Sequence, residues 1–129
     1  DYSEIHTLKE RFSDKVTLEQ FGSGFVIGKP TPEQIDLAHK GIERIKSAMA
    51  SGRFQVIILE EINVAFSLGL LSLEQLLEII DKKPEQIELV FTGRNAPDAL
   101  IERADLVTEM KEIKHYFKRG VKARVGIEK

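Results

Sequence analysis

QVIILEE, residues 55–61, decides how this chain is read. Val56, Ile57 and Ile58 are β-branched, and Leu59 extends the apolar run before two carboxylates, Glu60 and Glu61, close it. A short, unbroken β-branched run predicts a strand over 55–59 that is buried on both faces, as in a parallel sheet. Upstream, Thr31-Pro32-Glu33-Gln34 carries a helix start, with Thr as N-cap, Pro in the first turn and Gln able to reach back. Ile35, Ala38, Ile42, Ile45 and Met49 then recur at steps of three and four, one helical stripe. Ser51-Gly52 ends it, with Gly supplying the left-handed cap. Downstream, Ser72-Leu73-Glu74-Gln75 is a second capping box. It opens a helix with Leu73, Leu76, Leu77 and Ile80 on its inner face, stopped near Pro84.

The same reading predicts further strands over Val16–Phe21, Ile87–Phe91 and Leu106–Ile113. It predicts a short helix over Tyr2–Arg11 and another from Asn95-Ala96-Pro97-Asp98 to about Ala104. Helices alternating with buried strands make an α/β domain with a mostly parallel sheet. The 129 residues are expected to form a single domain.

Composition narrows the function classes. The net charge of −2 calls for no nucleic-acid surface, and the basic stretch from Lys111 to Lys129 is interleaved with Glu and Ile, as in a solvated edge. With no Cys there are no disulfides or thiolate metal sites. His6, His39 and His115 have no ligand spacing. No apolar run is long enough for a membrane span and no signal peptide is visible, so a cytoplasmic location is expected.

In parallel sheets, ligands bind beyond the carboxyl ends of the strands. Three strand ends are therefore expected to open on one edge: Phe21 into a Gly-rich loop, Leu59 into Glu60-Glu61-Ile62-Asn63, and Phe91 into Thr92-Gly93-Arg94. An apolar strand ending in two acids has the form of a Walker B element, whose carboxylate holds Mg²⁺, usually through water. Strand-end acids also arise as helix caps or solvated loop residues. Thr92 and Arg94 suit contact with phosphate oxygens, and equally suit an ordinary turn.

GSGFVIGKPT, residues 22–31, imitates a phosphate-binding loop but fails its spacing. Only three residues separate Gly24 from Gly28, and Pro30, which has no N–H, follows Lys29. The Walker A half of a nucleotide site is therefore not in this sequence. Together with the start at Asp1, without Met, this leads to the expectation that a P-loop strand–helix unit lies upstream.

Taken together, GSGF (22–25), VIILEEINVAFSLGLLS (56–72), ELVFTGRNAPDALIERADLVTEMKEIKH (88–115) and GVKARVGIE (120–128) resemble the P-loop class of ATP:corrinoid adenosyltransferases, over nearly the whole chain. The resemblance implies a three-layer P-loop NTPase (RecA-like) fold, here without its N-terminal unit, so that 1–129 would be the C-terminal two-thirds or so of the domain. It implies a reaction in which the Co(I) of a reduced corrinoid attacks the 5′ carbon of ATP and triphosphate leaves. Mg²⁺ as cofactor, an electron-donating reductase, a homodimer and a role in cobalamin synthesis or salvage are implied with it.

By the same resemblance Glu61 matches the Mg²⁺ carboxylate. Glu60 stands where Asp is usual, and Phe25 matches an aromatic that lines the corrinoid face. Ile27 stands where some members carry Trp. On this reading the Gly loop is the corrinoid-side wall. Phe25, Val26 and Ile27 would exclude water and the lower axial ligand, which eases formation of Co(I). A role for Phe25 in core packing is the alternative. Two other classes stand against the enzyme: a generic P-loop ATPase module, and a non-catalytic fragment without its phosphate loop.

Overall fold

The structure is a computed structural model that describes residues 3–128. Its internal contacts separate two compact units. One runs from 21 to 107, and the other joins the residues up to 20 to those from 108 onward.

In the first unit, helix α2 (Pro32–Ala50) begins as its sequence dictates. The Thr31 hydroxyl accepts from the Gln34 N–H at 3.3 Å and the Gln34 side chain accepts from the Thr31 N–H at 3.0 Å. These bonds satisfy amide groups at a helix end that have no intrahelical partner. Gly52, just beyond the C-cap Ser51, takes the left-handed conformation at φ +63. Strand β1 (Val56–Leu59) leads into a six-residue helix, α3 (Ile62–Ser67). Helix α4 (Leu73–Asp81) repeats the reciprocal cap with Ser72 and Gln75, at 2.8 and 3.3 Å. Strand β2 (Glu88–Phe91) and helix α5 (Asp98–Arg103) complete the unit.

The two strands pair in parallel, Val56 with Glu88 through Leu59 with Phe91. Their crossover runs through α3 and α4, the connection a parallel pair requires. Ile42 and Met49 of α2, Leu59, Ile62, Leu71, Leu76 and Ile79 of α4, Ile87 and Leu100 form the core. A Lys46–Glu78 ion pair at 2.9 Å adds a polar tie between α2 and α4.

Three expectations are corrected. Among the described residues strand β1 is covered on one face, where cover on two was expected: Val56 and Ile58 are 52% and 62% exposed, and Val90 of β2 is 40% exposed. Successive strand side chains point to opposite faces, and the core residues of the described chain all meet the Ile57, Leu59, Leu89 and Phe91 side. Residues 16–21 and 106–113 are not strands; among the described residues the sheet has two strands only. A strand exists through pairing, and β-rich sequence without a neighbour remains irregular. Leu106, Met110 and Ile113 are accordingly exposed. Phe21 instead packs on α2, where a Cβ on Gly41 would lie 3.2 Å from its ring.

The second unit holds helix α1 (Ser3–Arg11), within the 2–11 stretch expected to be helical, and a 3₁₀ turn over Tyr116–Arg119. His115 caps that turn, its Nδ1 accepting from the Phe117 N–H at 3.0 Å. Glu128 accepts from the Tyr116 hydroxyl and pairs with Arg124 at 2.7 Å. The basic residues of this stretch are partly neutralised by neighbours, as in Lys111–Glu109 at 3.3 Å.

Candidate functional site at the carboxyl ends of the two strands

The chain leaves β1 and β2 in the same direction, and the loops beyond them are laced together. Thr92 is held at three atoms. Its N–H donates to the Leu59 carbonyl at 3.2 Å and its carbonyl accepts from the Asn63 N–H at 3.2 Å. Its hydroxyl oxygen accepts from the Glu61 N–H at 3.0 Å. A Ser or Thr hydroxyl that accepts one bond still has its own proton to donate. Thr92 therefore presents an O–H beside the backbone of Glu61.

Glu61 sits in the left-handed region, φ 58 and ψ 20, just before α3. For a residue with a long side chain this conformation costs about 1–2 kcal/mol. The bond to Thr92 and the start of α3 hold it there. Glu60 and Glu61 are both exposed at the mouth of this junction. Arg94 is exposed on the facing loop.

Gly93 closes the arrangement. At φ +115 it adopts a conformation that favours glycine, and a Cβ there would lie 3.2 Å from the Val64 nitrogen and 3.3 Å from the Asn63 Cβ and the Glu61 Cα. Asn63 is the buried polar residue among the described ones, 5% exposed. Its Nδ2 donates to the Gly93 carbonyl at 3.3 Å, while its Oδ1 has no partner among the described residues.

Thus Glu60 and Glu61, and Thr92 and Arg94, follow the carboxyl ends of two neighbouring parallel strands, as expected, whereas the third expected end, Phe21 into the Gly loop, is missing because residues 16–21 form no strand. The sequence reading missed helix α3, Asn63 and the packing role of Gly93. The signal for α3 was present: Ile62, Ala65 and Phe66 recur at helical spacing, broken by one polar residue, Asn63, among apolar ones. Phe25 and Ile27 lie on the separate Gly22–Gly28 loop, 88% and 91% exposed. Phe25 is thus no part of the core formed by the described residues. Gly24 at φ +117 and Gly28 at φ +76 bracket the turn that presents both side chains.

The donors at the strand ends are all oxygen: two carboxylates and a hydroxyl. Mg²⁺ is held by one or two carboxylates with waters and substrate phosphates completing its shell, so this set fits it. It does not form an all-protein cage; among the described residues no three His, Asp or Glu side chains converge. No described helix is long and apolar enough to cross a membrane.

A family model described as ATP:corrinoid adenosyltransferase BtuR/CobO/CobP matches residues 1–128. A corrinoid adenosyltransferase of Sinorhizobium sp. is 34% identical over 127 residues, covering 97% of this chain and 59% of the relative. One from Pseudomonas aeruginosa is 36% identical over 120 residues, covering 92% of this chain and 59% of the relative. One from Escherichia coli K12 is 30% identical over 86 residues, 67% of this chain and 44% of the relative. The chain thus spans at most 59% of the length of these curated relatives.

Proposed function

The chain belongs to the ATP:corrinoid adenosyltransferase family, and from that premise we propose that it forms the Mg²⁺- and corrinoid-facing part of an enzyme that moves the 5′-deoxyadenosyl group of ATP to a corrinoid. Residues 1–129 would be part of one adenosyltransferase domain. Within it the parallel pair β1–β2 would belong to a three-layer, RecA-like sheet. The observation that carries the reading is the 3.0 Å bond from the Glu61 N–H to the Thr92 hydroxyl, across 31 residues of sequence. It joins a carboxylate, a hydroxyl and Arg94 at one sheet edge, the combination a polyphosphate needs.

In this reading Glu61, with Glu60 beside it, would hold Mg²⁺. The ion, when bound, neutralises the charge that develops on the triphosphate leaving group. Thr92 donates its free hydroxyl proton to a phosphate oxygen. Arg94 supplies positive charge to the same group and lowers the cost of its departure. Phe25 and Ile27 form the apolar wall against the corrinoid, supported by their near-complete exposure on a glycine-bracketed turn. Such a wall excludes water and a lower axial ligand, so the cobalt of the substrate is more readily reduced to the nucleophilic Co(I). The electron comes from a separate reductase, and the enzyme acts as a cytoplasmic homodimer.

Glu61→Gln in the full-length enzyme tests this. It keeps size and removes charge, and turnover should fall roughly 100-fold or more, with a smaller loss for Glu60→Gln. Near-normal turnover for Glu61→Gln together with loss in Glu60→Gln would reverse the assignment.

A further inference from the structure

We infer that Asn63 is a positioning residue that turns the Gly93–Arg94 peptide so that the Arg94 N–H, together with the Thr92 hydroxyl, meets a phosphate oxygen of the nucleotide. This deepens the reading of the strand-end site and rests on it. The peptide is trans, since the described chain has no cis bonds. In a trans peptide the C=O and N–H point in opposite directions. The Gly93 carbonyl is engaged by the Nδ2 of Asn63, a side chain only 5% exposed. The Arg94 N–H of that peptide is therefore directed away from Asn63, on an exposed residue, and no described group accepts from it. A backbone donor left open at a strand's carboxyl end is suited to an anionic oxygen.

Two further observations fit a positioning role. Asn63 leaves its Oδ1 buried without a partner, an arrangement that is costly for stability alone. A Cβ on Gly93 would lie 3.3 Å from the Asn63 Cβ, so glycine lets the peptide pack closely on its holder. Asn63 also donates its own N–H to the Thr92 carbonyl, which ties both proposed phosphate contacts to one residue.

The test is Asn63→Leu in the full-length enzyme. Leu keeps the number and branching of heavy atoms, though it is bulkier, and removes the orphaned oxygen, but cannot hold the Gly93 carbonyl; Asn63→Ala is the second variant, used if Leu does not fold. Inorganic triphosphate is titrated by calorimetry with Mg²⁺ chelated, and the ¹⁵N-labelled Arg94 amide is followed by NMR. The affinity should fall about tenfold, the effect of one hydrogen bond to a charged group. The Arg94 amide resonance should move on titration in the wild type and stay nearly still in the variant. Unchanged triphosphate affinity and an unchanged Arg94 response in a folded variant would overturn the inference while leaving the function standing. A wild type that binds no triphosphate, with or without Mg²⁺, would overturn both.

Discussion

Gly93→Ala probes the junction on which the site depends. The structure divides its cost in two. The first part is conformational: at φ +115 an L-residue is strained by about 1–3 kcal/mol. The second is steric. The new methyl would sit 3.2 Å from the Val64 nitrogen and 3.3 Å from the Glu61 Cα and Asn63 Cβ. Two of those atoms are backbone, at the start of α3, and cannot swing aside as a side-chain end could. Overpacking of this kind adds about 1–3 kcal/mol, so the sum is roughly 2–6 kcal/mol. At about 2–8 °C per kcal/mol, the melting temperature should drop on the order of 10 °C.

Gly52→Ala is the control. Gly52 also has positive φ, +63, but nothing lies within 4 Å of its would-be Cβ, so only the conformational part, about 1 kcal/mol, applies. Melting curves of both variants, with triphosphate titrations, are the assay. Gly93→Ala should be clearly the less stable of the two and should weaken triphosphate binding, whereas Gly52→Ala should leave binding intact. If Gly93→Ala melts no lower than Gly52→Ala and binds normally, the junction is not the rigid unit described here.

Phe25→Ala should change stability by less than about 0.5 kcal/mol, because the side chain is 88% exposed. Turnover from a Co(II) corrinoid should fall well below that of the wild type, while turnover from chemically prepared Co(I) should fall much less; equal losses would refute the wall assignment. Glu78 is held at a pKa of about 2, first by its hydrogen bond to Lys82 and then by Lys46. Its folded pKa is depressed, so its contribution to stability is complete above the ordinary 4.5 and is lost as pH falls from there towards 2. Acid unfolding curves of Glu78→Gln should therefore be less steep than wild type in that window, and identical curves would show that the pairing does not contribute.

The features legible in the sequence are those whose partners are near in the chain. The capping boxes of Thr31 and Ser72 close over three residues, so four letters carry the whole interaction. The stripe from Ile35 to Met49, the β-branched run at 56 and the short apolar run from Ile87 to Phe91 are likewise local signals, and each marks an element that formed. Strand-end acids could be placed on an edge because parallel topology constrains where chains emerge. The failures are equally physical. Residues 16–21 and 106–113 have strand-like composition, but pairing is a property of a neighbour, which composition does not contain. Burial of β1 was misjudged for the same reason: whether Val56 and Ile58 are covered depends on a second layer, not on their own side chains.

What only the tertiary structure decided is the site's stereochemistry. Glu61 and Thr92 lie 31 residues apart, and no local pattern announces that one's amide would meet the other's hydroxyl. The left-handed turn at Glu61, the close packing at Gly93 and the half-used amide of Asn63 follow from two strand ends being forced to the same spot by parallel pairing. Sequence therefore determined which chemical groups reach the edge, because residue type and strand direction are written locally. The fold determined how they face one another, because a hydrogen bond across a crossover exists only once the chain has returned.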